Sequence, residues 1–251
     1  AETYQFHMWK NKNKKRHSVR RNCLVTCCNN RFSYISCRCE NLASIDLPDG
    51  VTDIGYSAFY FCNSLTSIDL PANLINIGDY AFSRCENLAE ITVPESLTTI
   101  GEYAFSRTPW FEAQSQPVII NNILHTYNEA EGDVEIPSGV TSIGDGAFYD
   151  CETVTSVTIP LGVTSISRYA FYGCENLTSV IMPESVRAVG TEAFSECNSL
   201  TSLTVPDSIV NIEEWAFVDC ANLNEVTISD ELKEKFLSAF ECSPWYDAQN
   251  N

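Results

Sequence analysis

Seven cysteines recur at one repeat position: Cys39, Cys62, Cys85, Cys151, Cys174, Cys197 and Cys220. A thiol can close a disulfide, ligate a metal, act as a nucleophile or pack as a small apolar group. Stacked layers would bring successive thiols to about the 4.8 Å strand spacing, which is within disulfide range, but parallel side chains do not point at one another. A metal needs donors that converge on one point, and a straight row does not converge. A nucleophile needs a base, and His7, His17 and His125 do not follow the thiol spacing. The reading this leaves is a ladder of buried thiols, each donating weakly to a backbone carbonyl of the next layer. Cys23, Cys27, Cys28, Cys37 and Cys242 lie outside the row, in spacings that match no zinc pattern. A disulfide among them stays an open alternative, with no readable pairing.

Two other pairings could do acid–base work: Asp46 with Asp69, and His125 with Glu129. Neither brings a cleft or a full partner set, so no catalysis, metal or cofactor is expected.

A repeat sets the thiol spacing. Ala-Phe pairs begin at Ala58, Ala81, Ala104, Ala147, Ala170, Ala193, Ala216 and Ala239. Every step is 23 residues except the 43 from Ala104 to Ala147, which is one repeat plus 20 residues. The unit reads L-x-x-I-x-L-P-x-x-V-x-x-I-G-x-x-A-F-x-x-C-x-x, as in Leu65, Ile68, Leu70, Pro71, Leu74, Ile77, Gly78, Ala81, Phe82 and Cys85. Its I-x-L pair predicts a short strand that Pro71 ends by lacking an N–H. V-x-x-I-G predicts a second extended stretch with a turn at Gly78. "DYAFSRC" is too short for a free helix, and a single helical or 3₁₀ turn is expected there. One unit cannot bury its own apolar face, so units must stack, like residue over like residue. Eight such layers would form a single elongated domain roughly 40 Å long.

These residues resemble the BspA-like, or Treponema pallidum type, leucine-rich repeats over about residues 40–242, in spacing, P, I-G, A-F and C alike. The resemblance implies a leucine-rich repeat solenoid of the α/β-solenoid class, with short parallel strands on its concave side. It also implies a secreted or surface-displayed protein linked with adhesion and binding, of a kind found in host-associated bacteria and some parasitic protists. No shared catalytic residue comes with it. The departures are the insertion after Thr108, the altered last unit with Ser229, Lys235 and Phe236 in place of Pro, Ile and Gly, and residues 1–38.

The expected organisation is a basic arm or degenerate cap at 1–38, repeats at 39–108 and an insertion at 109–133. Repeats resume at 134–242, and residues 243–251 open a second insertion or a tail. In the insertion, "VII-NN-ILHTY" predicts a β-hairpin, because Asn121 and Asn122 tolerate the positive φ of a two-residue turn. "SPWYDAQNN" at the end copies "TPWFEAQSQ" at 108–116, which suggests one block of a longer protein. No signal segment opens the chain, so an exported protein would have lost it before Ala1.

The formal net charge of −18 is unevenly placed. Residues 1–40 hold nine Lys/Arg and two Asp/Glu, leaving six and thirty-one for the rest. The repeat body is therefore not expected to bind nucleic acid, and no 18-residue apolar run predicts membrane insertion. The basic run "KNKNKKRHSVRR" reads as a solvated arm, with a nucleic-acid or heparin site as the sharper alternative.

Strand alternation puts two rows outward. One is Ser44, Ser67, Glu90, Asp133, Ser156, Ser179, Ser202 and Glu225; the other is Asp46, Asp69, Thr92, Glu135, Thr158, Ile181, Thr204 and Thr227. They read either as a solvated face or as a surface for a basic protein or cation-bridged ligand, with Asp46, Asp69, Glu90, Asp133 and Glu135 as its acids. Tyr80, Tyr103, Tyr169 and Trp215 precede the Ala-Phe pair and read as packing. Trp110, Phe111 and Tyr127 mark the irregular loop where a specific contact would first be sought. The leading expectation is a non-catalytic module binding a protein ligand at a cell surface. The alternative is a spacer holding another domain away from the cell.

Overall fold

The computed structural model describes residues 40–250 and the backbone of two short strands at 26–28 and 31–33. The expectations for the rest of residues 1–38, and for Cys39, lie outside the described residues. Where the sequence reading expects one domain, the chain divides into two compact units, residues 1–114 and 115–251.

In the first unit the strands are β1 (Thr26–Cys28), β2 (Arg31–Ser33), β3 (Asp53–Ile54), β4 (Ser67–Asp69), β5 (Asn76–Ile77), β6 (Glu90–Thr92) and β7 (Thr99–Ile100). Helix α1 (Pro109–Glu112) follows. The second unit opens with β8 (Val118–Ile120) and β9 (Ile123–Thr126). It continues through β10 (Gly132–Glu135), β11 (Ser142–Ile143), β12 (Val154–Thr158), β13 (Ser165–Ile166), β14 (Ser179–Ile181), β15 (Ala188–Val189), β16 (Ser202–Thr204), β17 (Asn211–Ile212) and β18 (Glu225–Thr227). Helix α2 (Asp230–Phe236), a 3₁₀ turn (Leu237–Phe240) and α3 (Pro244–Asn250) close it.

Most repeats contribute a strand to each of two parallel ladders; the first described repeat has no I-x-L strand and the last has α2 in place of a V-x-x-I strand. The V-x-x-I strands lie in sheets of order β1-β2-β3-β5-β7 in the first unit and β17-β15-β13-β11-β9-β8 in the second, each sheet ending in an antiparallel pair, β1-β2 or β8-β9. The I-x-L strands pair as β4-β6, β10-β12-β14 and β16-β18. Asp53 pairs with Asn76 and Asn76 with Thr99, each the same repeat position one layer on. Register is fixed because a one-residue slip would turn Ile54, Ile77 and Ile100, all buried, out to solvent.

The A-F segment departs from the expected helical or 3₁₀ turn. It is a chain of β-turns: Ala81 N donates to Gly78 O at 3.2 Å, Ser83 N to Tyr80 O at 3.1 Å and Cys85 N to Phe82 O at 3.1 Å. Tyr80 and Arg84 lie at φ 56° and 60° in the left-handed region, as do Tyr103, Tyr169, Glu192 and Trp215. That costs non-glycine residues roughly 1–2 kcal/mol each. Bonds between layers offset the cost. Phe59, Phe82, Phe148, Phe171 and Phe194 each donate their N–H to the Ala carbonyl of the next repeat at 2.7 Å.

The phenylalanines form one column in each unit. In the first, Phe59, Phe82 and Phe105 stack at 5.1 and 5.6 Å between centroids, nearly parallel, and Trp110 closes the end at 5.0 Å. In the second, Tyr127 heads Phe148, Phe171, Phe194, Phe217 and Phe240, with ring spacings from 4.7 to 5.6 Å. Trp245 closes that column at 5.1 Å.

The two closures are built alike. Thr108 and Ser243 replace the row cysteine, donate their hydroxyls to the Phe105 and Phe240 carbonyls at 2.7 Å, and accept from Phe111 N and Tyr246 N at 3.2 Å. A side-chain acceptor at the cap followed by proline is a helix start. The segment read as one insertion is thus a capping helix, then a β8-β9 hairpin turning at Asn121 and Asn122 (φ 49° and 64°), then β10 of the next repeat. The hairpin's β9 pairs in parallel with β11, so it begins the second unit's sheet.

Candidate functional site: the thiol ladder and the outward rows

Cys62, Cys85, Cys151, Cys174, Cys197 and Cys220 are buried free thiols. Cys85, Cys174, Cys197 and Cys220 place Sγ 3.0–3.2 Å from the carbonyls of Phe59, Phe148, Phe171 and Phe194, and Cys151 reaches Tyr127 O at 3.6 Å. The acceptor lies in the preceding layer, not the next. The Phe carbonyls face forward along the stack, each already holding the N–H of its own repeat's cysteine, and the following thiol takes the remaining lone pair.

Burial, with Asp150 adding to it, pushes the Cys151 thiol up to about 11, and burial pushes Cys220 up to about 12. Cys174 and Cys197 rise for the same first reason; Cys85 rises chiefly through its contact with the Cys62 thiol and then through burial. These thiols stay neutral at neutral pH, which suits packing and not nucleophilic attack. Cys242 is free and exposed.

The predicted acids fall into separate sets. Asp69 on β4 and Glu90 on β6 are exposed in the first unit; Asp46 is exposed there too, but outside any strand. Asp133 and Glu135 are exposed on β10 in the second unit. Five outward pairs set a carboxylate opposite a hydroxyl residue: Ser67 with Glu90, Asp69 with Thr92, Asp133 with Ser156, Glu135 with Thr158, Ser202 with Glu225; β12 and β14 instead pair Ser156 with Ser179 and Thr158 with Ile181. Thr92 Oγ1 donates to Asp69 at 2.8 Å and Ser156 Oγ to Asp133 at 2.6 Å. The Ser156 bond, helped by Thr155, holds the Asp133 carboxyl below its ordinary range.

Trp110 and Tyr127 pack: one ends a ring column and the other begins one. Phe111 is half-buried on α1 and supplies the N–H that caps it at Thr108. His125 is buried on β9, where burial pulls its pKa to about 4, while Glu129 is exposed. Among the described residues, no three His, Cys, Asp or Glu side chains are arranged to hold a metal ion. Among the same residues no helix is long and apolar enough to cross a membrane.

Two tyrosine clusters emerge, of which the sequence reading names only Tyr80, Tyr103 and Tyr169, as packing. Tyr56, Tyr80 and Tyr103 contact one another in series at 5.9 and 5.4 Å, with Tyr56 56% and Tyr103 42% exposed. In the second unit Tyr149, Tyr169 and Tyr172 interlock, and Tyr172 donates its hydroxyl to Glu196 at 2.5 Å. The signal was an aromatic residue one or two places before Ala-Phe at Tyr56, Tyr80, Tyr103 and Tyr169, and directly after it at Tyr149 and Tyr172.

Coils with one 23-residue period, inward Leu, Ile, Val and Phe, and two parallel ladders define a leucine-rich repeat solenoid. The chain belongs to the BspA-type leucine-rich repeat family, whose sequence pattern matches residues 32–123 and 118–245. Repeats of this class are generally non-enzymatic and generally mediate protein–protein contact. No curated protein sequence matches the chain. Among solved structures, a leucine-rich repeat protein from Bacteroides ovatus is 28% identical with TM-score 0.37, over 79% of this chain and 51% of its own. This chain thus spans about half of that protein. A leucine-rich cell surface protein from Faecalibacterium prausnitzii is 22% identical, TM-score 0.45, over 76% of this chain and 73% of its own. A T. pallidum leucine-rich repeat protein is 24% identical, TM-score 0.32, over 86% of both chains.

Proposed function

We propose that this chain is a non-catalytic binding module, secreted or displayed at a cell surface, that takes a basic protein partner in adhesion to host or neighbouring cells. The observation that carries the reading is the outward pairing of carboxylates with hydroxyls. Asp69 and Asp133 keep acceptor capacity toward solvent while the neighbouring layer supplies each a hydroxyl donor. A cationic partner would meet regularly spaced acceptors, and its association rate would fall with salt. The test is binding of the full chain to an array of matrix and serum proteins at low and high salt, beside a variant with Asp133→Asn and Glu135→Gln. Binding to basic proteins that the variant loses supports the reading.

A second reading, a spacer with no ligand of its own, draws on a specific observation. The two rows contain no Tyr, Trp or Arg, the residues that usually anchor interfaces. Salt-independent absence of binding across the array would favour it.

A further inference from the structure

The residue just before Ala-Phe runs through the second unit as Gly146, Tyr169, Glu192 and Trp215, all at positive φ, and then as Ser238. Bonds between layers set these positions side by side around Trp215: Phe194 N donates to Ala216 O at 2.7 Å and Phe217 N to Ala239 O at 2.8 Å. Tyr169 shows what an aromatic ring at this position takes. The Arg168 guanidinium lies over it, 5.4 Å from the centroid, while Arg168 Nε is 3.5 Å from the Asp145 carboxylate. Ring and acid share one cation.

Two layers on, ring and acids recur without the cation. The sequence reading takes Trp215 as packing, but its side chain is 47% exposed and, among the described residues, no ring or cation lies against it. Glu214, exposed, stands before it where Arg168 stands before Tyr169. Its neighbours in the row are Glu192 and Ser238. Glu213 is exposed too, accepting from the Thr191 N–H at 2.9 Å and the Thr191 hydroxyl at 2.6 Å. The four turns 144–151, 167–174, 190–197 and 213–220 hold seven acids and one base, Arg168 itself.

We propose that Trp215, with Glu192 and Glu214, is the docking point for an arginine side chain of a protein partner, its guanidinium over the indole and paired with a carboxylate. Tryptophan is the strongest ring for such a contact and a frequent anchor of interfaces. Arginine suits the place better than lysine, because a planar guanidinium stacks on a ring while its N–H groups reach a carboxylate. The turn edge thus supplies the aromatic anchor that the outward rows lack, and it stands whether or not those rows bind a partner.

The test is nuclear magnetic resonance of the full chain carrying isotope-labelled tryptophan, titrated at low salt with a blocked Gly-Arg-Gly peptide and then with Gly-Lys-Gly. Trp215→Phe identifies the Trp215 indole signal. That signal should move saturably with the arginine peptide and bind the lysine peptide severalfold more weakly, while Trp110 and Trp245, which close the ring columns, hold still. Glu192→Gln with Glu214→Gln should weaken the arginine peptide roughly fivefold, the size of two exposed ion pairs. The glutamine at 192 keeps an Oε1 acceptor for the Tyr169 hydroxyl, which Glu192 now takes at 3.5 Å. An unmoved Trp215 signal, equal affinity for the two peptides, or full affinity in the double variant overturns the proposal. Binding seen by calorimetry with Trp215 unmoved would reject this edge and leave the outward-row reading standing.

Discussion

Alkaline pH is the sharpest probe of the thiol ladder. Cys151, Cys174, Cys197 and Cys220 all titrate above their ordinary value of 9.0 in the folded second unit, two of them near 11 and 12. In the unfolded chain each returns to about 9. Because the folded values are the higher ones, the stabilisation is complete below pH 9 and is lost as pH climbs through the folded values. At pH 10 an unfolded thiol gains about 1.4 kcal/mol from ionising while its folded counterpart gains almost nothing, so four thiols remove about 6 kcal/mol. That is comparable to the whole stability of a typical domain. Replacing two of them, Cys174→Ser with Cys197→Ser, should halve the loss to about 3 kcal/mol, since a serine hydroxyl does not titrate in this range. A serine hydroxyl here lacks the helix-start N–H that Thr108 and Ser243 receive, so the variant starts from lower stability at pH 7.5, and it is the change with pH that is compared. The assay is urea unfolding under reducing conditions, followed by far-ultraviolet circular dichroism at pH 7.5, 9 and 10. Equal pH dependence in the two proteins would refute the claim that neutral buried thiols stabilise the stack.

Three further outcomes follow from the packing. Phe194→Ala opens a gap between Phe171 at 4.9 Å and Phe217 at 5.1 Å and should cost about 3–5 kcal/mol in urea unfolding. Gly101→Ala sets a Cβ 2.4 Å from the Asp79 backbone nitrogen and should cost roughly 3 kcal/mol; Gly132→Ala meets no atom within 4 Å and should cost only about 1 kcal/mol of left-handed strain, a ranking thermal denaturation can check. In Ellman titration of the native protein Cys242 should react promptly while the six described row thiols wait for urea, and prompt labelling of the row would contradict its burial.

The strands were legible because two periods coincide. The 23-residue spacing aligns the layers, and the alternation inside I-x-L separates buried Ile68 from exposed Ser67 and Asp69. The hairpin was legible from Asn121-Asn122. The A-F turn was not, because its left-handed positions carry Tyr80, Arg84, Glu192 and Trp215, residues with no preference for that region. Only two repeats give it away: Gly146 stands where Tyr80 does, and Gly173 where Arg84 does, both at positive φ. The caps were visible as a duplicated heptapeptide but read as the start of an insertion. The decisive signal was narrower: a hydroxyl residue in the cysteine position, followed at once by proline, exchanges a layer-to-layer donor for a helix cap.

This exchange also explains why the cysteine recurs. A Phe carbonyl in the turn accepts one backbone N–H from its own repeat and keeps a second lone pair directed at the next layer. Leaving that lone pair unmet in a dry core is unfavourable, and a thiol satisfies it while costing little to bury. A hydroxyl is more expensive to desolvate and needs partners for its own lone pairs. Those partners appear only where a helix start offers an N–H, as Phe111 and Tyr246 do. Cysteine therefore marks layers that are followed by another layer, and Thr or Ser marks those that end in a cap. By this logic a row cysteine changed to Thr together with Pro at the next position would tend to terminate the stack, while Thr alone would leave a buried hydroxyl half satisfied. Function must then vary where this constraint is silent: the outward rows and the aromatic edges of the turns.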